Sequence, residues 1–178
     1  MKSTLSAYSA EIRAQHLDSV ALHEICHAFV ELHRSEAIRI TLNLNPNYPH
    51  QPHSKIWDGR VEAKVLNDDK FRDSVFGWAG MIGEAIEKNR SMAIDIALER
   101  YKKSRNTLSD SDLAGIESIA DLIRPKSAQT AYDTLLENWG DVKDVQKRVI
   151  KLIGKYNLPT LMFGWTNVEG WVGLEADK

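Results

Sequence analysis

The chain has 178 residues, 43 % of them hydrophobic, which suits one domain built around one core. Its charged residues (27 %) nearly cancel to a net charge of −2, so it has neither the basic field of a nucleic-acid binder nor a polybasic patch for a membrane surface. Cys26 is the sole cysteine, which excludes an internal disulfide; Met1-Lys2-Ser3-Thr4 does not open the apolar run of a signal peptide, no stretch reaches the ~18 apolar residues of a membrane span, and the expected location is the cytoplasm.

Residues 9–34 carry Leu17, Ala21, Ile25, Ala28, Phe29 and Leu32 at helical spacing, one apolar face of a long helix. The period then changes. Ile38, Ile40 and Leu42 alternate with Arg39, Thr41 and Asn43, the pattern of a strand. A Pro/Asn-rich loop follows over residues 45–53, and residues 59–65 alternate again, as a second strand pairing with the first in a hairpin. Residues 71–103 read as helical with a break near Asn89-Arg90-Ser91. A third helix starts near Ser109 and stops before Pro125; a fourth covers residues 127–156, with Gly140-Asp141 as a possible division because Asp141 and Asp144 resemble a fresh N-terminal cap. Residues 157–171 hold Phe163, Trp165 and Trp171 among glycines with no helical period; a strand or loop packed on the core is the first expectation, an arm docked on another subunit or partner the second. The expected architecture is mainly α within the α+β class: a helical bundle with a small hairpin or sheet after the first helix. It divides into a domain over residues 1–156 and an aromatic tail over 157–178.

His23 and His27 lie one turn apart in the strongest helix, so both imidazoles project from one side and can hold one zinc ion. Glu24 follows the first of them, placing a carboxylate beside the metal, where it can hold the reacting water rather than ligate; this is the mechanical content of the motif H-E-x-x-H. At ~100° per residue the core stripe centres on Ala21, Ile25 and Leu32, so the two histidines are expected to face a second, cleft-like surface. His16 projects the same way but sits ~10.5 Å up the axis, too far to share the ion. His33 lies on another side, His50 and His53 belong to the loop, and Cys26 reads as a small buried thiol.

The run Asp18-Ser19-Val20-Ala21-Leu22-His23-Glu24-Ile25-Cys26-His27-Ala28-Phe29-Val30 resembles the peptidase helix of the FtsH-type zinc proteases, commonly H-E-A-G-H-A. Ala79-Gly80-Met81-Ile82-Gly83-Glu84-Ala85 resembles that family's A-G-x-x-A-E helix, and Leu108-Ser109-Asp110-Ser111-Asp112-Leu113 its later segment ending in Asp. Size and the late Trp of Leu135-Leu136-Glu137-Asn138-Trp139 are similar to the small stand-alone phage and bacterial relatives, and the resemblance covers roughly residues 15–155. Ile25 and Cys26 depart from the usual Ala-Gly, Gly83 stands where Ala is common, and these residues hold no phosphate-binding loop, so the ATP-driven unfolding of the full-length relatives is not expected.

The resemblance implies a zincin-like fold, a zinc cofactor, a protein or peptide substrate and Asp112 as third ligand; from charge and hydropathy, no nucleic-acid or membrane partner is expected. Ser109-x-x-Asp112 with Leu108 and Leu113 also reads as a capping box and hydrophobic staple, which would suffice to start a helix without a metal. Glu84 is the rival ligand, or else a hydrogen-bond partner of a ligand histidine; Asp110 is a weaker candidate, suited to the positive end of a helix. The implied activity is metal-assisted peptide hydrolysis with Glu24 as general base, restricted to exposed or flexible segments, with residues 39–42 as the edge that takes an extended substrate. The alternatives are a non-catalytic zincin-fold interaction module, suggested by the bulk of Ile25 and Cys26, and a regulatory peptidase that cleaves a repressor. The oligomeric state has no signature in the sequence.

Overall fold

The computed structural model of the protein describes residues 10–45 and 56–174. Most of the Pro/Asn-rich loop, with His50 and His53, lies outside the described residues. Helix α1 (Ala10–Glu31) leads into the antiparallel strands β1 (Ser35–Leu44) and β2 (Trp57–Val65). Helices α2 (Lys70–Asn89), α3 (Ala93–Lys103), α4 (Asp110–Glu117), α5 (Arg124–Glu137) and α6 (Trp139–Tyr156) follow, then β3 (Thr160–Thr166) and β4 (Gly170–Val172). The class is α+β. Among the described residues no helix is long and apolar enough to cross a membrane.

The sheet is antiparallel with strand order β2-β1-β3-β4. Ile38, Ile40 and Leu42 of β1 point into the core, as their alternation predicts, and pair across the sheet with Trp165, Phe163 and Leu161 of β3. The aromatic C-terminal stretch therefore enters the sheet: Phe163 is buried, and Trp171 stacks near both it and Phe29. This pairing corrects one expectation. β1 is an interior strand with both backbone edges engaged, so residues 39–42 cannot accept an extended substrate. Among the described residues, the strand with an outer edge left on that side of the sheet is β2.

Helix boundaries follow local chemistry. Asp69 caps α2, its carboxylate accepting the N–H groups of Phe71 and Arg72. The predicted break falls at a 3₁₀ turn over Arg90–Met92. The third helix ends earlier than expected, at Glu117, and the next begins at Arg124 with Pro125 inside its first turn. Proline is tolerated there because the first N–H groups of a helix have no partner within it, so Pro125 starts a helix instead of closing one. The later division falls at Asn138, two residues before Gly140. α6 buries Val142, Val145, Val149, Leu152 and Ile153 at helical spacing and packs on α1.

α1 packs against the sheet, α2 and α6. The expected contrast between a core face and an open face is therefore incomplete: His27 is only 2 % exposed, while His23 keeps partial access. α2 carries α4 and α5 on its other flank. Gly77 and Gly115 let α2 and α4 approach to backbone contact, since a Cβ on Gly77 would lie 2.5 Å from the Asp112 carbonyl oxygen. That crossing carries the start of α4 to the histidines of α1.

Candidate metal centre

His23, His27 and Asp112 form a compact group of metal-ligating side chains. The two Nε2 atoms are 3.1 Å apart. Asp112 Oδ1 lies 3.3 Å from His27 Nε2, and Oδ2 lies 3.5 Å from His23 Nε2. A tetrahedral zinc ion with bonds of ~2.0–2.1 Å separates its ligands by ~3.3 Å. The donor atoms are thus spaced like the edges of such a tetrahedron before any ion is considered.

The far nitrogens fix what these atoms are. His27 Nδ1 is 2.8 Å from the Phe76 carbonyl oxygen, and His23 Nδ1 is 2.7 Å from Glu84 Oε1. Both partners can only accept when Glu84 is ionised, so each neutral ring carries its proton on Nδ1 and turns a lone pair at Nε2 toward Asp112. Three acceptors then converge with no donor among them. A shared cation, a proton or a metal ion, satisfies that arrangement.

The electrostatics agree. Burial opposes a charge on His23, but hydrogen bonds to Asp112 and Glu84 outweigh it and raise its pKa to about 10. Burial and the charge on His23 push His27 down to about 4. Despite burial, the histidines draw Asp112 down to about 2, and His23 with Arg100 draws Glu84 to about 2. The site thus favours one positive charge between the carboxylates and the rings.

Each position follows from its element. Gly80 of α2 lies against the His23 ring, where a Cβ would be 2.5 Å from Nδ1. The Phe76 ring sits 4.5 Å from that of His27, centroid to centroid. Ser109 caps α4 by accepting the Asp112 N–H at 3.1 Å, which leaves the Asp112 carboxylate to reach the imidazoles. Capping and ligation are therefore compatible, because cap and ligand use different residues' oxygens. Glu84 contacts His23 and Arg100, and does not join the three-residue group. Asp110 is an exposed first-turn residue of α4.

The group opens on a cleft of about 470 Å³ whose walls include Glu24, Gly59, Val61 and Leu108. Glu24 meets β2 at Gly59, where a Cβ would lie 2.5 Å from Glu24 Oε1. His16 lines the same cleft and accepts the Trp57 N–H at 3.3 Å. Cys26 is fully buried, and His33 is exposed elsewhere. No protein-family model matches the chain, and no curated protein matches it. Residues of the segments 18–30, 79–85 and 108–113 meet at this one point.

Sequence reasoning missed several residues here. Phe76 acts through its backbone carbonyl, which leaves no side-chain signature. Arg100 sits among charged residues of an exposed helix and looks like ordinary surface. The glycines at 77, 80 and 83 were a usable signal: three in a helix interior, each costing ~1 kcal/mol of helix propensity, point to close approach by neighbours.

Proposed function

We propose that the protein is a zinc-dependent endopeptidase of zincin-like fold that hydrolyses peptide bonds in exposed or flexible protein segments. The observation that carries this reading is the convergence of three lone pairs, two from imidazoles and one from a carboxylate, beside a glutamate at the wall of an open cleft. Two nitrogens and one carboxylate oxygen, with access from one side, are the donor set of a catalytic zinc site that retains an open position. The resemblance to the FtsH-type peptidases points the same way. Ile25 and Cys26, whose bulk favoured a non-catalytic module, are fully buried and do not line the cleft, so that objection loses its force.

His23, His27 and Asp112 would hold the zinc ion, which would supply Lewis acidity to acidify a bound water and polarise a carbonyl. The remaining steps belong to the protein. Glu24, beside His23 on the cleft wall, accepts the proton of the attacking water and returns it to the departing amine. The Nδ1 hydrogen bonds to Glu84 and the Phe76 carbonyl hold both rings in the ligating tautomer. The outer edge of β2 takes an extended segment by backbone pairing, and Gly59 keeps that edge close to Glu24.

The test is a peptidase assay on unfolded casein with and without a chelator. Glu24→Gln is expected to retain one zinc per chain and to lose at least ~100-fold in turnover. Asp112→Asn is expected to lose zinc, because a neutral amide is a poor substitute for the third ligand. Full activity in Glu24→Gln would overturn the general-base role, and full zinc occupancy in Asp112→Asn would overturn the ligand set.

A further inference from the structure

The two imidazoles are held in unlike ways. The acceptor for His27 Nδ1 is the Phe76 carbonyl, a backbone atom of α2 fixed by the helix itself. The acceptor for His23 Nδ1 is Glu84 Oε1, the end of a side chain with three rotatable bonds. Such an acceptor is only as well placed as whatever holds it. Its second oxygen, Oε2, accepts from Arg100 Nη1 at 2.5 Å. Arg100 comes from α3, which follows the 3₁₀ turn over Arg90–Met92 and buries only Ala93 and Ala97.

We propose that Arg100 is a positioning residue of the metal centre, acting through Glu84 to keep the proton of His23 on Nδ1 and its lone pair at Nε2 toward the ion. The inference rests on the metal reading above. The Glu84 side chain is 18 % exposed, and gripping both its oxygens leaves it one working conformation. With Arg100 gone, Glu84 is free to swing toward water, and His23 can adopt the tautomer whose Nε2 carries hydrogen and binds no metal. His27 is insulated from this loss because its acceptor is backbone. One wall of the site is therefore built in, and the other is supplied by a peripheral helix that reads as plain surface in the sequence.

Loss of a partner that orients a ligand costs ~10–100-fold in metal affinity. The experiment measures the zinc dissociation constant of the full chain by competition with a chromophoric chelator. Arg100→Gln should weaken zinc at least ~10-fold, and Arg100→Lys, which keeps a charge but not the planar fork, should recover part of the loss. Lys103→Ala, on the same helix in an exposed pair with Glu99, should match the wild type. Adding Arg100→Gln to Glu84→Gln should cost little more than Glu84→Gln alone, because both act along one path. In ¹⁵N spectra of the zinc-loaded protein, the His23 Nδ1–H signal should broaden or shift in Arg100→Gln while that of His27 stays, a readout that general loosening would not produce. Wild-type affinity in Arg100→Gln, or additive losses in the double variant, would overturn this inference and leave the metal reading standing. A wild-type chain that binds no zinc would overturn both.

Discussion

The thiol of Cys26 fills the space that a side chain at residue 83 would need: a Cβ on Gly83 would overlap Sγ and lie 3.0 Å from the Cys26 Cβ. Cys26 on α1 and Gly83 on α2 thus share one space across the α1–α2 contact, the larger residue on the histidine helix and the smaller on its neighbour. Burial also pushes the thiol pKa up, which makes Cys26 an inert filler rather than a nucleophile. Gly83→Ala alone is therefore expected to destabilise by ~1–3 kcal/mol through overpacking. Combined with Cys26→Gly, the same change should cost less than it does alone, an interaction of at least ~1 kcal/mol in a urea-denaturation double-mutant cycle. Simple additivity would mean that the two positions do not share the space.

Gly59 on β2 yields a separate prediction about catalysis. The three atoms nearest to a methyl group there would all belong to Glu24, with Oε1 at 2.5 Å. Gly59→Ala should keep its zinc and lose ~10–100-fold in kcat, a loss of the size that follows from a small misplacement of a reacting group. Steady-state kinetics with parallel zinc analysis checks this. A fall in zinc content matching the fall in rate would show that Gly59 supports the metal site rather than the base.

Much of this site was legible because it is local. His23, Glu24 and His27 fall on one helix, where spacing fixes direction, and the period-two runs of β1 and β2 give their own pairing. Asp112 and Glu84 could be reached only through a resemblance, because nothing near them in the chain says what they will meet. The rest was hidden for physical reasons. β1 becomes interior only when β3 arrives from more than a hundred residues away, and period alone cannot distinguish an interior strand from an edge. Pro125 stops a helix or starts one with equal ease, and the choice rests on tertiary packing. His27 is buried because α2 covers this part of α1, with Phe76 against the His27 ring, a contact made possible by glycines that a hydrophobicity pattern registers only as gaps.

Glu31, in the last turn of α1, is buried with Oε2 lacking a hydrogen-bond partner; the nearest cation is Arg34, at 3.4 Å and shared with Asp73. Burial raises its pKa from 4.5 to about 7, with Arg34 only partly opposing it. Between those two values the folded chain holds a proton that the unfolded chain has released. Stability from this group is therefore full below pH ~4.5 and declines as pH rises through ~7, by on the order of 1–3 kcal/mol. Glu31→Gln has no proton to lose. Its melting temperature should match the wild type near pH 5 and exceed it near pH 8. Parallel curves at both pH values would show that the Glu31 carboxyl is not perturbed.

The measurement that tests the metal centre most directly is anomalous scattering at the zinc edge from crystals of protein purified without chelators. The expected result is one peak per chain, ~2.0–2.1 Å from His23 Nε2, His27 Nε2 and one Asp112 oxygen, with Glu24 beside it and not bonded to it. Crystals grown at saturating zinc with no peak at that point, or with either imidazole turned away from Asp112, would contradict the account.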